Sequence, residues 1–372
     1  MPTFLLRTKI IYGPGSVNQL GEEAKRIGRK AMIVTYPDIR RVGLLDKVVE
    51  NLKSSGVDTL IFEEVEPNPR SSTVDKGAKI ARDEKIDLII GLGGGSAMDT
   101  AKGIALASSG TEPIWSYVIG SVKATGPVPP LIQIPTMAGT GSEANPGGVI
   151  TNWETHDKRT VASGALWAKV AIVDPEMTLT LPRKQTAAGG VDTFCHAVED
   201  YVIESPNPLT DGIRETVMKM VVKYLPQVLA RLDDIEARTQ LSMASTVAMS
   251  SIATLGSGLG TPHGCHGIEH ALGGYYDVTH GEGLAALLPA WMRHSPAVRK
   301  ERLDALGKNV FGKADGLLAT EEWLESVGMR LRLRDLGCEF ERAEEMAKLA
   351  LKSNPRLIET PDTIVQIYKD SY

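Results

Sequence analysis

Four of the seven histidines fall between His263 and His280, in GTPHGCHGIEHALGGYYDVTHGEG, and upstream GGVDTFCHAVEDY sets Asp192 four residues before His196. A carboxylate and an imidazole at i and i+4 of a helix project from one face and can grip a single ion. His266 and His270 have the same spacing, and His280 follows across GGYYDVTHG, whose glycines predict a turn that returns the chain to the same ion. The favoured ligand set is therefore Asp192, His196, His266 and His280. Three neutral nitrogens and one carboxylate suit Fe(II) or Zn(II) and leave a coordination position at which a substrate oxygen can be polarised.

A lone buried histidine is more often a satisfied core residue than a ligand. Clustering alters that reading, because several desolvated imidazoles in one place need a shared partner. His270, one helical turn from His266, is left over as a group near the metal that can carry protons. His263 lies off this register and reads as a loop residue beside the site. Cys195 and Cys265 each adjoin a proposed ligand, but neighbouring helical residues point about 100° apart, so both read as small buried hydrophobes.

A second constellation is IDLIIGLGGGSAMDTAKGIALA, an apolar run from Ile86 to Ile90 followed by Gly93, Gly94, Gly95 and Ser96 and then a helix-forming stretch with Asp99 in its first turn. A buried parallel strand that enters a helix through glycines lets backbone N–H groups approach a pyrophosphate. The glycine triplet departs from the GxGxxG dinucleotide fingerprint, so an ordinary Rossmann assignment does not follow. After the apolar LIQIP comes a polar loop from Thr136 through Thr140 to Ser142, which reads either as a cover for the nicotinamide side of a dinucleotide or as a turn.

GGGSAMDTAK, PTMAGTGSE, GGVDTFCHAVEDY and HGIEHALGGYYDVTHG, in this order and spacing, resemble the iron-containing (group III) alcohol dehydrogenases, and the likeness runs from KIIYGPGSVNQLGE to the C-terminal helices. The resemblance implies NAD(P)-dependent interconversion of an alcohol with an aldehyde or ketone, on the fold shared with glycerol dehydrogenase and dehydroquinate synthase. It places the metal ligands on Asp192, His196, His266 and His280, with Fe(2+) as the ion and Zn(2+) as the alternative. The cofactor contacts fall on Gly94, Gly95, Ser96, Asp99, Thr136, Thr140 and Lys158, and His270 takes the place of the non-ligand histidine near the nicotinamide. Many relatives carry an aspartate after the second strand, where it binds the ribose 2′-OH and repels a 2′-phosphate. Here VTYPDIRRVG puts Tyr36 in that place and Asp38 two residues later. Arg40 and Arg41 read as a solvated helix face, and Asp38 favours NAD(H) over NADP(H). Homodimers are common in such a family.

These elements need a scaffold. AMIVTY, TLIFEEV, DLIIGLG and PLIQIPT read as strands alternating with helices such as VGLLDKVVENLKSSG and SSTVDKGAKIARDEK, the pattern of a parallel sheet covered on both faces. From Leu181-Pro182 onward the apolar positions recur at three and four, as in PRKQTAAGGVDTFCHAVEDYVI, and predict helix only. The expectation is an α/β dinucleotide-binding domain over 1–182 and an all-α metal-binding and substrate domain over 183–372, with chemistry in the cleft between them.

The 372 residues, 42% hydrophobic and 23% charged, are ordinary for a globular enzyme. A net charge of −5 argues against a nucleic-acid partner, and no apolar run is long enough to span a membrane. Three cysteines, without a disulfide framework, fit a reducing cytoplasm. The partner is a small alcohol, diol or aldehyde. A glycerol dehydrogenase-like polyol oxidoreductase and a non-catalytic nucleotide-binding protein of the same fold are the alternatives. Dehydroquinate synthase chemistry would need a dense Lys/Arg set for its substrate, and a metal-free reductase would not keep four competent ligands.

Overall fold

The computed structural model describes residues 5–253, 255 and 264–372. His263 lies outside the described residues. The described residues form two compact units, one made of residues 6–153 and 159–181, the other of Leu5, residues 154–158 and those from 182 to 372. Residues 154–158 thus belong with the helices although the sequence around them is α/β.

The α/β unit is built on strands β1 (Lys9–Tyr12), β2 (Lys30–Val34), β3 (Asp58–Phe62), β4 (Leu88–Gly93), β5 (Leu131–Pro135) and β8 (Val170–Val173), in the order β1-β8-β5-β4-β2-β3 with every neighbour parallel. A ribbon of β6 (Gly147–Asn152) and β7 (Asp157–Ala162) completes the strands. Strand β4 is buried along its whole length because its alternate side chains enter two different cores. Ile89 packs with Val74, Ala78 and Ile104, from the helices Ser71–Asp83 and Gly95–Ser108. Leu88, Ile90 and Leu92 pack with Leu45, Val48 and Leu52 of the helix Leu44–Ser54. A sheet covered on both faces requires such continuous apolar runs, and LIIGLG supplies one. The four expected strands are present; β1 and β8, of only four residues each, are additional to them.

The helical unit is organised around Arg183–Ile203, which is buried from Thr186 to Ile203. A helix buried all round must satisfy every polar side chain it carries. Asp200 does so through Arg214, 3.0 Å away on the helix Pro208–Ala230, and Arg214 also reaches Glu204 at 2.6 Å. Arg302 grips Asp211 through both terminal guanidinium nitrogens at 2.8 and 2.6 Å and lies 4.1 Å over the Tyr201 ring. Asp192, His196 and Glu199 are the polar residues of that helix left for another purpose. Facing helices include Gly264–Tyr276 and His280–His294.

Candidate active site

Asp192 and His196 lie one turn apart on the central helix, as their spacing requires, with Asp192 Oδ1 3.6 Å from His196 Nε2. His266 and His270 occupy successive turns of Gly264–Tyr276. The glycines of GGYYDVTHG do not make the expected turn: Gly273 and Gly274 are helical, and Gly274 lacks a side chain because a Cβ there would press on the His156 carbonyl at 2.7 Å. The chain reverses instead at Asp277, whose φ is 58°, and His280 opens the next helix. That helix starts against the central one, since a Cβ on Gly281 would run into the Ala188 carbonyl. Gly281→Ala should therefore push His280 outward, costing about 1–3 kcal/mol of stability and weakening metal binding; an alanine variant with unchanged metal affinity would detach His280 from the ion.

Three Nε2 atoms converge on Asp192 Oδ1, at 3.6 Å from His196, 3.5 Å from His266 and 3.7 Å from His280. Donor atoms of Asp192, His196 and His266 all lie within 4.8 Å of one another. The His196 and His266 rings stack 4.5 Å apart, and His280 tilts against His266 at 5.2 Å. Asp192 is 2% exposed, yet Oδ1 accepts no hydrogen bond from any described residue. A buried carboxylate oxygen in that state is costly unless a cation faces it. Donors about 2.1 Å from a shared tetrahedral ion stand about 3.4 Å apart, so the separations fit one divalent cation.

The electrostatics agree. Burial would push the Asp192 carboxyl up, but His196, His266 and His280 hold it well below the usual carboxylate range. Burial opposes charging of His266, while Glu199 and Asp192 outweigh it and raise the metal-free imidazole to about 10. A metal ion entering the site displaces such a proton. Burial pushes the Cys195 and Cys265 thiols well above their ordinary value, which keeps them from acting as thiolate ligands. His270 is half-buried, its ring 5.9 Å from that of His280.

In the α/β unit, Gly94, Gly95 and Ser96 stand at the start of the helix Gly95–Ser108. Gly93 needs its φ of 151°, and a Cβ on Gly95 would collide with Thr140. Gly94 is different, because a Cβ there would meet nothing nearer than Met137 Sδ at 3.8 Å, leaving its backbone approachable. Thr136 donates its N–H to Gly93 O at 2.9 Å and shares a side-chain hydrogen bond with Tyr36. Thr140 Oγ1 accepts from Ser142 N at 3.3 Å. Asp99 is buried, accepting from Ser142 Oγ at 2.6 Å and from Val149 N at 2.9 Å. Asp38 is exposed and pairs with Arg41 at 3.1 Å, while Arg40 pairs with Glu63 at 2.7 Å. Lys158 is buried in the helical unit with Nζ 3.4 Å from Glu269 Oε2.

Sequence reasoning passed over three participants. Glu199 and Glu269 contact the Nδ1 atoms of His266 and His280; each follows a proposed ligand by three residues, a signal available in the register. Lys102 was the third. Its buried ammonium donates to Ser142 O at 2.6 Å, to Ser142 Oγ at 2.8 Å and to Gly147 O. Burial pulls it down to about 8, against Asp99 and Glu143.

A parallel sheet with a glycine-headed helix, and a helical unit with one carboxylate and three imidazoles on a common centre, define a metal-dependent dehydrogenase. Profiles described as iron-containing alcohol dehydrogenase and as the C-terminal part of the Fe-containing alcohol dehydrogenase family match residues 7–175 and 186–372. NADH-dependent butanol dehydrogenase A of Clostridium acetobutylicum is 34% identical, with 99% of each chain covered. The 1,3-propanediol dehydrogenase of Citrobacter freundii is 33% identical over 95% of this chain and 94% of its own. The crystal structure of NADH-dependent butanol dehydrogenase A from Thermotoga maritima superposes with a TM-score of 0.95 at 31% identity, covering 100% of this chain and 98% of that one. The chain belongs to the iron-containing alcohol dehydrogenase family, and it is an oxidoreductase that uses a nicotinamide cofactor and a metal ion.

Proposed function

We propose that this protein uses Fe(II) and NAD(H) to interconvert a small primary alcohol or diol with its aldehyde. The observation that carries the reading is Asp192 Oδ1, a buried anionic oxygen ringed by three imidazole nitrogens at 3.5–3.7 Å. Asp192, His196, His266 and His280 hold the ion. When bound, that ion supplies Lewis-acid polarisation of the substrate oxygen, and the nicotinamide takes or gives the hydride.

The chain's own residues do the rest by position. Gly94, Gly95 and Ser96 offer the first-turn N–H groups of their helix to the cofactor's phosphates. Thr136 and Thr140 border the nicotinamide side, and Asp99 and Ser142 hold the loop against the helix through their 2.6 Å hydrogen bond. NAD(H) is preferred because Arg40 and Arg41 are engaged by Glu63 and Asp38, which puts two carboxylates where a 2′-phosphate would need cations. His270 passes the hydroxyl proton of the substrate toward solvent. His270→Ala should lower kcat by about 10²–10⁴-fold and alter its pH profile with metal content unchanged; full turnover with the wild-type pH profile would remove His270 from the reaction.

The assay is oxidation of NADH by short aldehydes with protein purified anaerobically and reloaded with ferrous or zinc salt. Turnover that appears only with metal supports the reading, and a loaded protein inert toward every short aldehyde and alcohol overturns it. We assign 1–182 to cofactor binding and 183–372 to metal and substrate binding. No helix among the described residues is long and apolar enough to cross a membrane. Cys195, Cys265 and Cys338 are free thiols, which fits a reducing cytoplasm. A homodimer follows from the family likeness, and light scattering on the purified protein tests it. The net charge of −5 favours a small-molecule partner over nucleic acid.

A further inference from the structure

We infer that Glu199 and Glu269 are positioning residues for the metal, and that Lys158 acts on the metal through Glu269. The inference rests on the metal site proposed above and concerns how its ligands are held. Each carboxylate faces the Nδ1 edge of one ligand histidine: Glu199 Oε1 contacts His266 Nδ1, and Glu269 Oε2 contacts His280 Nδ1. An ionised carboxylate only accepts, so the ring nitrogen it faces carries the proton and Nε2 presents its lone pair. The Nε2 atoms are the ones that converge on Asp192. Carboxylate support of this kind orients a ligand ring and raises its basicity.

The two carboxylates are wired differently. Glu199 holds His266 at two points, since its Oε2 also accepts the His266 backbone N–H at 3.2 Å. Glu269 divides one oxygen between His280 Nδ1 and Lys158 Nζ, and its Oε1 makes no hydrogen bond among the described residues. Lys158 therefore draws negative charge away from His280. His266 becomes the anchored ligand and His280, whose side chain is 24% exposed against 9% for His266, the looser one.

Charge counting points the same way. Asp192, Glu199, Glu269 and Lys158 are all buried, three negative and one positive, and with neutral imidazoles the set is two charges short of balance. A dication supplies both. Burying an unbalanced pair of charges is expensive, so this arrangement is matched to a divalent ion, and losing any of its three carboxylates weakens that match.

The test uses the full-length enzyme stripped by chelator and titrated with Zn(II), or with Co(II) read by its visible spectrum, against a chromophoric competitor. Glu199→Gln and Glu269→Gln should each weaken metal affinity by about 10–100-fold, and Glu269→Gln should also shift the Co(II) bands. Lys158→Met should tighten it, because Glu269 then serves His280 alone. A gain in affinity cannot come from partial misfolding, so this variant guards the test. Wild-type binding with unchanged affinity in the glutamine variants, or a loss of affinity in Lys158→Met, would overturn the inference alone. Wild-type protein that takes up neither ion would overturn the underlying site as well.

Discussion

His266→Ala yields protein that purifies without stoichiometric metal and whose kcat/KM is lower by about a thousandfold or more, the scale of losing several kcal/mol of Lewis-acid stabilisation. The expectation follows from how many roles meet on one ring. His266 presents Nε2 3.5 Å from Asp192 Oδ1, stacks on His196, and is the contact of the fully buried Glu199. Removing the ring takes away a donor and the Nδ1 contact of the buried Glu199 carboxylate, which is destabilising by about 3–5 kcal/mol. Loss of stability could by itself reduce metal uptake, so His266→Gln, which keeps a polar side chain of similar reach, is the second variant. Metal per chain, melting temperature and steady-state kinetics together decide the matter. A His266→Ala protein that keeps one metal per chain would refute the ligand assignment.

Lys102→Met has the second largest expected effect. The ammonium has Ser142 O, Ser142 Oγ and Gly147 O as acceptors and Asn145 Oδ1 at 3.4 Å, and it neutralises a pocket that also holds Asp99 and Glu143. Methionine fills the volume and satisfies none of them. Loss of about 3–5 kcal/mol of stability is expected, together with weaker NADH binding, since Ser142 anchors the loop that carries Thr136 and Thr140. The pH dependence has a definite sign. Lys102 titrates near 8 in the folded protein and at its ordinary 10.5 when unfolded, so between these values the unfolded chain holds a proton the folded one has released. Stability from this group therefore rises with pH across that window. Denaturant midpoints at about pH 7 and about pH 10 should show the rise in wild type and its absence in Lys102→Met; identical pH dependence in both proteins would exclude the lysine as the titrating group.

What could be read from the residues alone was local. Asp192 and His196 lie on one helix and need only its period, and strands β2 to β5 announce themselves as apolar runs between turn residues. His280 joined the ligand set by nearness in sequence, but its place depends on a reversal at Asp277 and on Gly281 pressing against Ala188, both of which are matters of tertiary packing. Glu199 and Glu269 sit in the right register, yet no local pattern says that their carboxylates are buried rather than solvated. Lys158 meets Glu269 across 111 residues of chain. Long-range charge pairing of that kind leaves no periodic trace, and neither does the insertion of β8 between β1 and β5.

The assignment of residues 154–158 to the helical unit bears on any attempt to dissect the enzyme. Those five residues are an excursion of the α/β sequence into the other body, so the backbone passes from one body to the other after residues 5, 153, 158 and 181. A cut at the obvious place, after residue 182, produces a C-terminal fragment with its ligand histidines intact but with Glu269 stripped of the buried Lys158. Complementation of the two fragments, rather than autonomous folding of either, is the behaviour such a weave imposes.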